Sequence, residues 1–172
     1  MARNVEVKAR AADLAAIRRR LESLGGVPSG DLTQIDTFFD VSGRRLKLRE
    51  FGDGTGELIS YTRDDQRGPK VSNYLVAKVS APDDLRAVCT HALGVRGVVR
   101  KRRTLFLLGQ IRIHLDQVEG LGTFVELEVV LFDDQSEADG KCLALGLLDK
   151  LAIPDADLVP RAYLDLLQDA VY

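Results

Sequence analysis

Tryptophan is absent from the chain, methionine occurs once and cysteine only twice. Two cysteines, Cys89 and Cys142, far apart and without CxxC spacing, exclude a disulfide framework and a zinc site of the usual kind. Both lie in helix-like segments and read as buried core thiols rather than nucleophiles. No run of about 18 apolar residues occurs, so no transmembrane helix is expected. The opening residues, Met1 to Glu6, lack the apolar core of a secretory leader, and a cytoplasmic protein is the expectation. No Pro/Gly/Ser-rich linker divides the 172 residues, which favours a single domain spanning 1–172. Charge of one sign is also lacking. The net charge is −2 and the pI about 5.7, a poor basis for binding nucleic acid, which usually needs a strongly basic face.

What the chain does have is alternation. Arg3 to Ala9 places Asn4, Glu6 and Lys8 on one side and Val5 and Val7 on the other, a strand at period two. Strands are likewise predicted at Leu32–Phe39, Arg45–Arg49, Leu58–Arg63, Ser72–Val79, Val98–Leu107, Gln110–Asp116 and Thr123–Phe132. Helical spacing marks Asp13–Leu24, closed by Gly25-Gly26. Helices also read at Pro82–Leu93, at Ser136–Leu151 with Ser136 as cap, and from Pro160 to Val171. About eight strands joined mostly by short turns, with four helices, make an α+β protein built on an antiparallel sheet or barrel.

The strands carry their charges in an unusual order. Lys47, Arg49, Arg63, Lys101, Arg103 and Arg112 share the polar faces of the middle strands, while Glu6, Glu126 and Glu128 occupy the first and last. The alternate positions, among them Val5, Val7, Leu46, Leu48, Ile111, Ile113, Val125 and Leu127, are apolar. One reading is a sheet packed on helices with its charged face solvated. The other is a closed barrel with its apolar face outward under helices and its charges lining a tunnel. Sign sorting favours the tunnel, because crowded like charges are unfavourable unless a counter-charge binds there. Arginine forks match phosphate oxygens, and clustered carboxylates suit magnesium or manganese bridging to phosphates.

These residues fall into ordered motifs: Asn4-Val5-Glu6-Val7-Lys8, Gln34 to Phe39, Leu46 to Arg49, Tyr61 to Arg63, Ser72 to Tyr74, Lys101 to Arg103, Arg112 to Asp116, Gly120 to Glu128 and Tyr163 to Leu167. In that order they resemble the CYTH superfamily, named for class IV adenylyl cyclases and thiamine triphosphatases. The resemblance implies an eight-stranded antiparallel β-barrel, the triphosphate tunnel, with flanking helices. It implies phosphate contacts from Lys8, Lys47, Arg49, Arg63, Lys101, Arg103 and Arg112. Glu6, Glu126 and Glu128 would hold Mg2+ or Mn2+, and Lys8, Arg63 and Asp116 would take part in catalysis. The implied substrate is a small polyphosphate: a nucleoside or thiamine triphosphate, or inorganic triphosphate. A homodimer is also implied, with the apolar Leu143–Leu148 stretch as one surface for it. One position departs from the family signature: its first Glu is Asn4 here, an oxygen donor without charge.

Single residues leave alternatives open. His114, between Arg112 and Asp116, could serve as a general base or as a neutral hydrogen-bond donor. Tyr61 could stack on a base, bond a phosphate or simply pack. His91 reads as structural, Glu119 as a turn residue and Arg18–Arg20 as a solvated run. Beside an enzyme that cyclises or hydrolyses a triphosphate stand two rivals, a non-catalytic polyphosphate sensor and a biosynthetic enzyme on another phosphorylated metabolite.

Overall fold

A computed structural model describes residues 2–63 and 65–170, with the side chains of Ala2 and Arg63 outside the described set. The expected phosphate-binding and catalytic roles of Arg63 therefore lie outside the described residues. The described residues form eight strands, β1 (Ala2–Arg10), β2 (Val27–Phe39), β3 (Arg45–Phe51), β4 (Gly56–Arg63), β5 (Lys70–Val79), β6 (Val95–Leu108), β7 (Ile111–Val118) and β8 (Gly122–Val130), with helices after β1, β5 and β8. The helices are α1 (Leu14–Ser23), α2 (Pro82–Leu93), α3 (Glu137–Lys150) and α4 (Tyr163–Asp169). The strands close in the order β1-β5-β4-β3-β2-β6-β7-β8, and every pairing is antiparallel. Closure removes the solvated-sheet alternative, because the charged face now encloses a lumen.

The apolar core accordingly lies outside the barrel wall. Val5, Val7 and Ala9 of β1, Ile111 and Ile113 of β7, and Val125, Leu127 and Val129 of β8 pack against Ile17 and Leu21 of α1 and Ala144, Leu147, Leu148 and Leu151 of α3. Each valine, leucine or isoleucine among them contributes about 1.5–3 kcal/mol by its removal from water. Helix α3 comes close to the sheet at Gly140, where a Cβ would stand 2.6 Å from Val5 Cγ2. Its start is fixed by a capping box: Asp139 N donates to Ser136 Oγ at 3.2 Å, and Ser136 N donates to Asp139 Oδ2 at 2.9 Å. Asp13 caps α1 by accepting from Ala16 N, and α2 opens on Pro82. Among the described residues no helix is long and apolar enough to cross a membrane.

A second apolar cluster, with Phe38, Val99, Val118, Phe124, Tyr163 and Leu164, forms under α4. Asp165 anchors that helix by accepting from Arg96 Nη2 at 3.1 Å, with Arg45 Nη2 3.6 Å from its other oxygen. The Lys70 ammonium donates to the Pro160 carbonyl just ahead of the helix.

Three expectations need correction. The last helix begins at Tyr163, not Pro160, whose carbonyl instead accepts from Lys70, and its expected end at Val171 lies outside the described residues. Strand β2 begins at Val27, not Leu32, because Pro28, Ser29 and Gly30 are absorbed by a bulge against β6 with Gly30 at φ +145°. Cys142 is exposed and Cys89 half-buried, so neither is a core thiol. The buried positions of α3 are Gly140, Ala144, Leu147 and Leu148, and Cys142 falls off that stripe.

Candidate active site

Strand parity decides which side chains enter the lumen. Asn4, Glu6 and Lys8 of β1 point inward, with Glu6 opposite Glu128 and Lys8 opposite Glu126 on β8. On β7, Arg112 stands opposite Glu128 and His114 opposite Glu126. From the other side enter Gln34, Asp36 and Phe38 of β2, Lys47 and Arg49 of β3, and Lys101 and Arg103 of β6. They surround a cavity of about 200 Å³. Tyr61 of β4 also lines it, its ring 5.6 Å from Lys47 Nζ.

The cations are held by carboxylates in two groups. Asp36 accepts from Arg49 Nε at 2.8 Å and Nη2 at 2.9 Å, from Lys47 Nζ at 2.9 Å and from Lys101 Nζ at 2.8 Å. Burial alone would raise its pKa, but Arg49, Lys101 and Lys47 hold it well below the usual carboxylate range. Burial brings the Lys101 ammonium down to about 7; Asp36 opposes the fall, while Arg49, Arg103 and Lys47 deepen it. In the second group Arg103 donates through Nε and Nη2 to the two oxygens of Asp116, at 2.7 and 2.6 Å, and through Nη2 to Glu126 at 2.8 Å. Tyr163 of α4 donates its hydroxyl to Asp116 Oδ2 at 2.7 Å, and its ring lies 3.8 Å under Lys8 Nζ. Burial, then the neighbouring Asp116 and Glu126 charges, push the Tyr163 phenol well up.

Glu6, Glu126 and Glu128 form the third group, with one carboxylate oxygen of each within 4.8 Å of the others. Burial would raise the pKa of Glu128, but His114, with Nε2 3.3 Å from Oε2, and Arg112, at 2.9 Å, bring it down to about 2. Glu128 is thus an anion at any physiological pH. Beside the trio stands Asn4, 4% exposed, whose buried side-chain oxygen has no hydrogen-bond partner. Three carboxylates and an unpartnered amide oxygen form a donor set suited to a hard cation.

The predicted set comes together with two qualifications. Lys8, Lys47, Arg49, Lys101, Arg103 and Arg112 all line the cavity, and the three glutamates converge. Arg63 is outside the described side chains. Asp116 is 0% exposed and engaged by Arg103 and Tyr163, which makes it a support for Arg103 rather than a group facing the open lumen. Sequence reasoning passed over Asp36 and Tyr163. The parity of Gln34-Ile35-Asp36-Thr37-Phe38 places Asp36 inward beside Lys47 and Arg49 and could have found it. Nothing local announces that α4 sends a phenol into the barrel. His91, Lys78 and Glu119 are exposed, away from the cavity.

The family model for the CYTH domain matches residues 2–163. The chain belongs to the CYTH family. The PH1012 protein of Pyrococcus horikoshii OT3 superimposes with a TM-score of 0.86 at 25% identity, covering 95% of this chain and 99% of the other. Adenylate cyclase CyaB of Aeromonas hydrophila is 25% identical over 177 residues, which is 97% of this chain and 90% of that protein. A Hippeastrum protein reported to have a dominant triphosphatase activity shares the fold, with a TM-score of 0.66 at 16% identity over 98% of this chain and 96% of its own.

Proposed function

We propose that this CYTH protein is a divalent-metal-dependent enzyme acting on the phosphate chain of a triphosphate. The observation that carries the reading is the convergence on one lumen of six cations and a three-carboxylate cluster. Lys47, Arg49 and Lys101 on one side and Arg103, Arg112 and Lys8 on the other would grip successive phosphoryl groups. Glu6, Glu126 and Glu128, with the Asn4 amide oxygen, would hold Mg2+ or Mn2+. When bound, that ion polarises a phosphoryl oxygen and offsets its charge. The residues of the chain supply positioning and electrostatics, which dominate phosphoryl transfer. Removing one such charge-stabilising donor costs about 10²–10³ in rate.

The phosphate cradle serves two attacks equally well. In cyclisation, the 3′-hydroxyl of the ribose attacks the α-phosphorus and pyrophosphate leaves; in hydrolysis, water attacks the γ-phosphorus and orthophosphate leaves. The likeness to adenylate cyclase CyaB along nearly the whole chain supports cyclisation of ATP as the first outcome to test. The purified protein would be incubated with ATP, GTP, thiamine triphosphate and inorganic triphosphate, with and without Mg2+ or Mn2+, and all products resolved by chromatography and mass spectrometry. Cyclic AMP with pyrophosphate is expected. Orthophosphate with a diphosphate assigns hydrolysis instead. No product above an Arg49→Ala control overturns the enzyme reading for these substrates.

A further inference from the structure

We propose that Asp36 is the positioning residue of the phosphate cradle: it fixes Lys47, Arg49 and Lys101 as one preformed three-cation site for a single phosphoryl group, without touching the substrate itself. The proposal rests on the triphosphate reading and adds to it an anion among the phosphate-binding cations.

A carboxylate has about four acceptor positions, and Asp36 receives four donated hydrogen bonds: two from Arg49 and one each from Lys47 and Lys101. It is 2% exposed. Three of these bonds fall on Oδ2 and one on Oδ1; buried, ringed by cations that repel a metal ion and held well below the usual carboxylate range, it is a weak proton acceptor. What remains is its effect on its donors. Arg49 spends its Nε–Nη2 edge on Asp36, so its orientation is fixed while Nη1 stays available to a ligand. Each lysine spends one of three donors. Three cations around one carboxylate leave a net positive site with its donors already aimed, which lowers the ordering cost of binding.

Lys101 reports on this arrangement. It faces Asp36 from β2, Lys47 and Arg49 from β3, Arg103 on its own strand, Asp116 from β7 and the Tyr163 ring from α4. Of these, Asp36 opposes the loss of its proton most strongly, and with that help the ammonium still titrates at about 7. Without Asp36 the Lys101 ammonium titrates lower, and an incoming phosphate must restore the proton. Binding that needs a proton on a group weakens about tenfold per pH unit above that group's ligand-free pKa. For the wild type this decline begins near pH 7; for Asp36→Asn it begins lower. The ratio of the two dissociation constants should therefore rise with pH up to about 7 and then level. Titration of the ligand itself is common to both proteins and cancels in the ratio.

The test is calorimetric titration of inorganic tripolyphosphate, with magnesium in fixed excess, from pH 5.5 to 8.5, into wild type, Asp36→Asn and Lys101→Met, each first checked by circular dichroism. Expected for Asp36→Asn is an affinity loss of about tenfold at low pH, growing toward pH 7 as described. Lys101→Met should bind weakly and lose the decline that begins near pH 7. A merely structural role for Asp36 would give a ratio independent of pH, and that result overturns the proposal. If Asp36→Asn does not fold, Lys101→Met decides: retention of the wild-type pH profile overturns it. Failure of the wild type to bind tripolyphosphate at every pH overturns the triphosphate reading, and this one with it.

Discussion

Replacing Tyr163 by phenylalanine removes one hydroxyl and leaves the volume filled. The ring keeps its edge-on contact with Phe124, 4.9 Å between centroids, and its place under Lys8 Nζ. What is lost is the bond to Asp116 Oδ2 at 2.7 Å, between two buried groups. Hydrogen bonds to charged partners contribute about 1.5–3 kcal/mol. Asp116 Oδ2 keeps Arg103 Nη2 at 2.6 Å, so the acceptor is not orphaned and the loss should fall near the low end, about 1.5–2 kcal/mol. For a chain of this size that lowers Tm by about 3–8 °C. Urea unfolding followed by circular dichroism at pH 7 gives the first figure and a thermal melt the second. The pH dependence has a definite sign. Burial alone would raise the Asp116 pKa, but Arg103 holds it below the ordinary 3.8. Its ionised form therefore contributes stability that is complete above the unfolded value and is lost as pH falls through the folded one. The deficit of Tyr163→Phe should be full at neutral pH and shrink in acid. A loss under about 0.5 kcal/mol, the scatter of neutral surface changes, would refute the assignment of Tyr163 as a support for the Arg103–Asp116 pair, as would a deficit that grows in acid.

Gly140→Ala gains about 0.5–1 kcal/mol of helix propensity but drives a Cβ to 2.6 Å from Val5 Cγ2 and 2.7 Å from Leu131 Cδ2. Overpacking costs about 1–3 kcal/mol, so urea unfolding should show a net loss of about 1 kcal/mol, and a gain would show that α3 can lift off β1 freely. Ser136→Ala removes both the Asp139 N and Asp139 Oδ2 partners and should cost about 1 kcal/mol, read by the same titration. Glu6→Gln should weaken manganese binding by on the order of tenfold or more, measured by electron paramagnetic resonance of the free ion; unchanged affinity would remove Glu6 from the metal set.

The barrel was legible because its strands alternate strictly and side-chain parity is fixed by the pleat. From Asn4-Val5-Glu6-Val7-Lys8 alone one can say which residues share the lumen. Which residues touch across the lumen is another matter, set by strand order and register. Asp36 on β2 lies four strands from Lys101 on β6 when counted along the chain, yet the two strands are neighbours in the sheet. That adjacency, not any local signal, brings Lys101 Nζ onto the carboxylate that also holds Arg49. The extra length of β2 was hidden for a local reason, since Pro28 and Gly30 mimic a turn where the chain makes a bulge. Cys142 was misplaced although the information was present: the 140, 144, 147, 148 spacing defines the buried stripe of α3, and residue 142 does not fall on it. Tyr163 was illegible in principle, because the aim of a C-terminal helix depends on the Asp165 contacts to Arg96 and Arg45 from distant strands.

The lumen also shows why a ring of cations can fold before any phosphate arrives. Unpaired buried charges cost several kcal/mol each, so each described cluster of cations carries its own carboxylate. Asp36 and Asp116 take up arginines through the same Nε–Nη2 edge, at 2.6–2.9 Å. Asp36 accepts from β3 and β6, and Asp116 from β6 and α4, which locks the cations in place. The three glutamates behave differently. They crowd one another within 4.8 Å, and Glu128 stays ionised because Arg112 and His114 stand beside it. Arg103 and Arg112 offset part of the mutual repulsion in that trio, and further positive charge would offset more. On the proposed reading the lumen divides its acids: the aspartates hold arginines and lysines in place, while the glutamates, two of which also meet Arg103 and Arg112, would retain a demand for a divalent cation. A metal carrying a polyphosphate satisfies that demand and the outward-facing donors of the cations in a single binding event, so metal and phosphate should bind with positive cooperativity, each raising the affinity of the other by the same factor. Equal affinity for tripolyphosphate with and without Mg2+ would show that the two acid classes are not coupled in this way.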